Sequence, residues 1–498
     1  HTLAGIFSIR VWTAAYDADR QPRATALTEA ILNHLRLVAI QLDHDDNAQV
    51  IFESLNHRGS RLLASDLVKN LVFQRAKAER ENLQRLYDRT WADLDEDYWR
   101  TDVRQGRLTR PRIDVFLGYW LVMKLRREVA SDRVYAEFRD LAAGVPKIKP
   151  LVEELASDAK LFRSFESLPD TSVPGRFSYR VSQALDQAVF TPVFLWLMRA
   201  DLPTDQRDAA IAALESWTVR RALLRLTTAN YNRLTYEMLD ALYEAHQGSA
   251  AHDLTEFLLN QPAPSGLWPD DASVRNELGT QQFYKLHTSA RQRMVLEALE
   301  DDVRSTRFAE GASCPRGLSV EHVMPQSWLN NWPLDDTSSA DERNLNVQRL
   351  GNLTLVTGKA NSALSNRPWL AGGSGKIDYL ADNSTLKLNS DLIKANPDTW
   401  TDDDIHDRTD HLIERLLSIW PRPDGGPSTI EALGTQTRTR EESHAGTRTF
   451  VCLWDPATLP WAERSELRAA LERGDEAVHP WSMGVRRSGV RPGDRIAL

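Results

Sequence analysis

Cysteine is scarce in this chain. The two residues, Cys314 and Cys452, lie too far apart to set out a disulfide framework or a zinc-ligand spacing. A reducing cytoplasm is the expected compartment. Long apolar runs are missing as well. The best, from Phe116 to Leu125, falls far short of the ~20 residues that a membrane span needs, so no membrane is expected as a partner. His1-Thr2-Leu3 has neither the basic start nor the small-residue cleavage site of a signal peptide, and without an initiating Met a fragment is expected. An excess of positive charge is also absent: 61 Lys and Arg against 70 Asp and Glu give a net charge of −9. That excludes a generic nucleic-acid coat. It does not exclude a nuclease, in which a local cleft and a bound cation carry the phosphate contacts, and it predicts weak, salt-sensitive DNA binding. No self-similar period marks a solenoid. What is left is ordinary for a globular chain, with 42% hydrophobic and 26% charged residues over 498 positions. At ~150 residues per domain, two to four domains are expected.

The stretch from Leu318 to Trp369 carries the most chemistry. Leu318-Ser319-Val320 is a short apolar run that forms a strand and delivers Glu321 and His322 side by side at its end. Arg349-Leu350-Gly351-Asn352-Leu353-Thr354-Leu355-Val356 gives a turn and a second strand, and Lys359 to Trp369 suits a helix start that includes Asn361. Hydrolysis of a phosphodiester needs a base within hydrogen-bond reach of a water and a divalent ion on the scissile phosphate. His322 is the candidate base, since imidazole titrates near neutral pH. Glu321 and Asn361 offer hard oxygen ligands, which suit Mg²⁺ or Mn²⁺ better than Zn²⁺. Asn352 is expected to hold the loop after the first strand, and with it the imidazole, by side-chain hydrogen bonds. The alternative is a structural histidine and an ordinary turn plus strand.

With EHVMP and GNLTL as its two blocks, the span from about 280 to 420 resembles the HNH nuclease domain of GmrSD-type, modification-dependent restriction endonucleases, and is similar to SspE-like DNA-phosphorothioation defence proteins. Asn361 stands where many relatives have a second histidine, an HNN variant. The resemblance implies a ββα-metal fold with His322 and Asn352 in the catalytic centre and Glu321 and Asn361 on the metal. Farther upstream, FESLNHRG and LLASDLVKN resemble the second half of the ParB/sulfiredoxin-like module of the same family. That module is associated with nucleotide hydrolysis and sensing of modified DNA, which implies roles for Asn56, Arg58 and Asp66 and a nucleoside triphosphate in the full-length protein. Its Asp-Gly-Gln-Gln-Arg motif does not occur here. Turn formation and helix capping are the alternative roles of those three residues.

The expected fold class is mainly α with small β parts: a ParB-like remnant (1–75), a helical domain (76–277), the nuclease domain (278–420), a Pro/Gly/Ser/Thr-rich linker (421–448) and a small β-rich tail (449–498). Periodicity predicts helices over Ala24–Leu37, Asn82–Trp99, Arg112–Val129, Asp132–Ala142, Ile148–Phe165, Tyr179–Met198, Pro203–Arg225, Leu278–Leu299 and Trp400–Trp420. Strands are expected at Leu35–Leu42 and Phe450–Trp454. Ser65 or Asp66 is expected to cap a helix whose apolar face is Leu67, Leu71 and Val72. The family resemblance extends to a paired-arginine helix at Arg220 and Arg221, followed by a Thr227–Asn232 turn. With Arg225 these arginines can grip phosphate bidentately or form ion pairs with neighbouring helices. Arg291, Arg293 and Lys376 are the further expected DNA contacts. In the tail, WDP, WSMG and GDR resemble the opening half of an EVE-like module of the PUA superfamily, in which Trp454 and Trp481 stack a base or serve as core aromatics.

The reading that follows is a metal-dependent DNA endonuclease of a bacterial anti-phage restriction system directed to modified DNA, working as a homodimer or with partner defence proteins. A nucleotide-dependent sensor of modified DNA with an inactive nuclease fold is the alternative from another class, and RNA is an open alternative as substrate.

Overall fold

In a computed structural model the structure describes residues 20–33, 63–105, 108–245, 249–307, 313–334, 339–429, 449–451 and 495–497. Two compact units divide the chain, 1–63 and 64–498. In the first, helix α1 spans Arg20–Asn33. The expected strand at 35–42, and Asn56 and Arg58, lie outside the described residues, as do Trp454 and Trp481.

The second unit is mainly helical, with small two-stranded sheets. Its first helix, α2 (Ala64–Ala78), buries Ser65, Val68, Val72 and Ala76. The buried stripe is therefore rotated from the expected Leu67-Leu71-Val72 face, because the three- and four-residue spacing that starts at Ser65 also collects the small Ala76. A hairpin of β1 (Asp102–Gln105) and β2 (Leu108–Pro111), absent from the sequence reading, leads into α3 (Arg112–Leu125). Then follow α4 (Val134–Ala143), α5 (Ile148–Ser164), α6 (Thr191–Arg199), α7 (Thr204–Leu223), α8 (Tyr231–Glu244) and α9 (Ala250–Leu259). The remaining helices up to the site are α10 (Asp271–Thr280), the single turn α11 (Phe283–Leu286) and α12 (Ser289–Arg307).

Three expected helices are broken, each for a local reason. In 82–99, a π turn at Tyr87–Trp91 and an extended Glu96 (ψ 153°) interrupt the pattern while Trp91 and Trp99 both reach the core. In 179–198, Asp186 takes a left-handed φ of 55° and Pro192 opens α6 as a new helix. In 278–299, Gln281 and His287 are extended (ψ 150° each), which separates α10, α11 and α12.

Three apolar clusters hold the unit together. The first joins the helices from α2 to α9 through Trp91, Trp99, Phe116, Trp120, Phe190 and Trp217. The second carries Val219 and Leu223 of α7 across to Leu278, Leu296, Leu353, Leu355, Leu412 and Leu416. The third comprises residues such as Val323, Met324, Trp369, Trp400 and Ile405. Strand β3 (Ser319–His322) pairs antiparallel with β4 (Leu353–Val356), in register Glu321 to Thr354 and His322 to Leu353. All four residues of β4 are buried, as expected of a strand covered on both faces, and it lends Leu355 to the second cluster and Val356 to the third. Around this pair lie α13 (Ala340–Asn346), α14 (Gly358–Leu364), α15 (Lys376–Asn383), α16 (Lys387–Ala395) and α17 (Asp402–Ile419). The start of α17 is a capping box. Thr401 Oγ1 accepts from Asp404 N–H, and Asp404 Oδ2 accepts from Thr401 N–H at 2.7 Å. A last pair, β5 (Thr449–Val451) and β6 (Arg495–Ala497), is parallel. Among the described residues no helix is long and apolar enough to cross a membrane.

Candidate active site

The chain that leaves β3 is held by one amide. Asn352 is wholly buried, and its Nδ2 donates to the carbonyls of Met324 (2.8 Å) and Val347 (2.9 Å). Its Oδ1 accepts from Met324 N–H (2.8 Å) and from Trp400 Nε1–H (3.0 Å). Two donors and two lone pairs are all an amide side chain has, so Asn352 is saturated, and the chain leaving β3 is fixed where it turns away from His322. Asn352 makes no hydrogen bond to the imidazole itself. Gly351 beside it is required by a close approach. A Cβ there would sit 2.2 Å from the Ile405 carbonyl oxygen, and its N–H donates to Thr409 Oγ1 at 3.1 Å. The glycine of the GNLTL block therefore lets α17 press onto the turn.

Glu321 and His322 stand at the end of β3, 9% and 8% exposed. Lys376, 1% exposed, donates from Nζ to Glu321 Oε1 at 2.6 Å and to the His322 carbonyl at 2.7 Å. Burial pushes the Glu321 carboxyl up and the Lys376 ammonium down, and each partner's charge opposes the shift of the other. Lys376 reaches this spot because α15 begins against its own approach chain. Lys376 N–H donates to the Pro368 carbonyl at 2.9 Å, and a Cβ on Gly375 would lie 2.3 Å from the Trp369 carbonyl oxygen.

The His322 ring meets Tyr284 edge-on, with centroids 4.3 Å apart. Its Nε2 is buried and has no hydrogen-bond partner among the described residues. Burial, and then the charge of Lys376, hold the imidazole down to about 4 against a weaker opposing effect of Gln348. The ring is therefore neutral at pH 7, with a nitrogen free. Asn361 is half-buried on α14, which packs against β3, and its side chain makes no hydrogen bond among the described residues. α14 itself starts at Thr357, whose hydroxyl accepts from Ala360 N–H at 3.3 Å. Among the described residues no group of three His, Cys, Asp or Glu side chains is poised to hold a metal. One carboxylate and one amide oxygen suit an ion such as Mg²⁺, which keeps several waters and takes few protein ligands, and do not suit a tetrahedral zinc site.

Three of the expected DNA contacts, Lys376, Arg220 and Arg221, are buried. Lys376 is no surface contact for DNA; it is buried in the site itself, a role masked in the sequence by the 55 positions that separate it from Glu321. Arg220 and Arg221 are 1% and 0% exposed. Arg220 donates to the carbonyls of Trp420 and Pro269 and to Asp271, and Arg221 to those of Pro264, Leu267 and Thr227. Carbonyls of loops that would otherwise be unsatisfied take the guanidiniums up, so neither faces a phosphate. Arg291 is half-buried and donates to the Ala222 carbonyl at 3.0 Å, and Arg293 is half-buried near Glu297. Asp66 lies in the first turn of α2 and pairs with Arg100 at 3.2 Å. Tyr284 and Gln348 were not singled out by sequence reasoning. Nothing local marks them, because they meet His322 only through the fold.

Residues 268–415, which contain the whole of this centre, match a restriction-endonuclease family model, and this supports a nuclease of a restriction system. The family is described as GmrSD restriction endonucleases, C-terminal domain, so this segment is similar to that domain and supports a GmrSD-type endonuclease. The match does not extend to the ParB-like resemblance upstream. A comparison with curated proteins finds no match.

Proposed function

We propose that this protein hydrolyses phosphodiester bonds of DNA, with His322 as general base. The observation that carries the reading is the buried, unpartnered Nε2 of a neutral imidazole beside a carboxylate. A neutral imidazole takes a proton from water, and a base that is already deprotonated needs no activation step. Tyr284 fixes the plane of the ring, Lys376 holds the His322 carbonyl, and Asn352 holds the two residues that follow. The proton acceptor therefore keeps one orientation without a hydrogen bond to its working nitrogen. Glu321 and Asn361 would hold Mg²⁺ or Mn²⁺, which would fix the scissile phosphate and stabilise the charge on the leaving oxygen. The antiparallel pair followed directly by α14 is the arrangement that an HNH-type ββα-metal centre uses, which supports that subtype. The product is a 5′-phosphate end. One such centre cuts one strand, so a double-strand break takes two subunits or two successive events. Direction to modified DNA in a bacterial cytoplasm follows from the resemblance of the two motif blocks.

The test is cleavage of supercoiled plasmid, modified and unmodified, with Mg²⁺ or Mn²⁺ and with EDTA, by the wild type and by His322→Ala. Nicking that needs the ion and disappears in the variant is expected. Metal-dependent nicking that survives in His322→Ala would remove the imidazole from the mechanism.

A further inference from the structure

A second feature of the same unit has chemistry that the cutting centre does not use. Where α7 ends, Leu226 N–H closes on the Arg221 carbonyl at 3.0 Å and Arg225 takes a left-handed φ of 55°. The chain thereby turns sharply and sets Arg225 on the rim of a cavity of about 220 Å³. Gln187, Thr228, Tyr231, Leu286 and Arg291 help to line it.

The charge of this cavity is one-sided. Arg225 is exposed, and neither it nor Arg291 has a carboxylate within ion-pair distance among the described residues. Arg291 uses one terminal nitrogen for the Ala222 carbonyl and for His287 Nδ1 (3.2 Å), and its Nε is buried without a partner. His287 supplies no counter-charge. Its Nε2 meets Gln281 Oε1 at 3.0 Å, and burial, reinforced by Arg291 and Arg225, holds it down to about 3. The charged neighbours that act on His287 are thus both cations. The carbonyl end of α7 would oppose an anion, but its last carbonyls are already taken: Ala222 by Arg225 N–H and Arg291, Arg221 by Leu226 N–H, and Leu223 by Gln281. Tyr231 adds a donor. Burial raises its phenol, which therefore stays protonated, and its oxygen already accepts from Arg221 Nε at 3.2 Å, so its O–H is left to donate.

Two guanidiniums without carboxylates and a phenolic O–H make a phosphate-type donor set, since guanidinium binds such oxyanions in a fork. The volume lies under the ~300 Å³ at which pockets for whole small-molecule ligands begin. We infer that this cavity binds a phosphoryl group, gripped by Arg225 and Arg291 with Tyr231 as third donor. The group is either a free phosphate or pyrophosphate anion or a backbone phosphate of nucleic acid. The site stands independently of phosphodiester cleavage.

Calorimetric titration of the full chain in EDTA, at low salt, separates the two. The probes are inorganic phosphate, pyrophosphate and a short DNA duplex without terminal phosphates, against wild type, Arg225→Gln and Arg291→Lys. Arg225 is exposed and has no side-chain hydrogen bond, so its variant keeps the fold. Loss of a charge-assisted contact is expected to weaken binding about tenfold or more. Binding of pyrophosphate or phosphate that both variants weaken and the duplex does not displace assigns a free anion. Binding that the duplex displaces, or duplex binding alone that both variants weaken, assigns a backbone phosphate. No binding of any probe to the wild type, or binding that both variants leave unchanged, overturns the site. EDTA keeps cleavage silent, so an inactive cutting centre does not affect the outcome.

Discussion

Lys376 Nζ donates to Glu321 Oε1 at 2.6 Å, and the same ammonium donates to the carbonyl of His322 at 2.7 Å. One buried cation therefore positions both strand-end residues. Removing one member of a buried ion pair strands the other, at a cost of about 3–5 kcal/mol, and losing a group that orients a metal ligand typically costs 10–100-fold in activity or metal affinity. Lys376→Met is expected to lower kcat for plasmid nicking by roughly 100-fold while KM for DNA stays within about twofold, because the side chain is 1% exposed and meets no substrate. Adding Glu321→Gln should restore part of the lost stability in urea unfolding but none of the activity. A rise in KM with kcat unchanged would make Lys376 a DNA contact instead.

Asn352 is itself 0% exposed and is saturated by four hydrogen bonds. Asn352→Ala leaves a backbone N–H, two carbonyls and the Trp400 indole without partners. At about 1–3 kcal/mol for each stranded group, and with partial relaxation, a loss of about 3 kcal/mol or more is expected. The urea midpoint measures it, and a change below about 1 kcal/mol would show that water replaces the amide at no cost.

What was legible in the sequence is what short spacing encodes. The Leu318–Val320 run, the GNLTL turn and strand, and the last long helix, expected over Trp400–Trp420, each depend on neighbours within about four residues, and each forms close to its expected place. Contacts over long separations left no such mark. The Lys376–Glu321 pair, Tyr284 against His322 and the grip of Arg220 on the Trp420 carbonyl join residues between 38 and 200 positions apart. Paired arginines on a helix look alike whether they face phosphate or loop carbonyls, because sequence does not state burial. The hairpin at 102–111 was missed for another reason: its strands are four residues each and polar, so no alternation stands out.

His287 gives the pH dependence a sign. Its folded value, about 3, lies below the ordinary 6.5, so the unfolded chain binds a proton that the folded chain refuses. No penalty exists above about pH 6.5; as pH falls below that, the unfolded state gains, and stability drops until about pH 3. At pH 4.5 the loss from this group is roughly 2–3 kcal/mol. His287→Gln cannot titrate, so the fall in unfolding free energy from pH 7 to 4.5 should be smaller in the variant by about that amount. Parallel falls in both proteins would mean that His287 protonates normally in the fold.

Arg221 is wholly buried and donates to the carbonyls of Pro264, Leu267 and Thr227 and to Tyr231 Oη, with its guanidinium 5.1 Å from the Trp217 ring centroid. These bonds tie the Pro264–Leu267 loop and the Thr227 turn to α7. Arg221→Ala strands three carbonyls and opens a cavity, and a loss of about 3–5 kcal/mol is expected in guanidinium unfolding. Arg221→Lys should recover little, because a point charge with a different reach cannot span the same fork of acceptors. DNA affinity of the folded fraction, measured in EDTA, should stay within about twofold of the wild type, since a residue with no exposed surface adds no phosphate contact. A variant that unfolds at the wild-type denaturant concentration but binds DNA weakly would reverse this assignment and put the guanidinium on the nucleic acid.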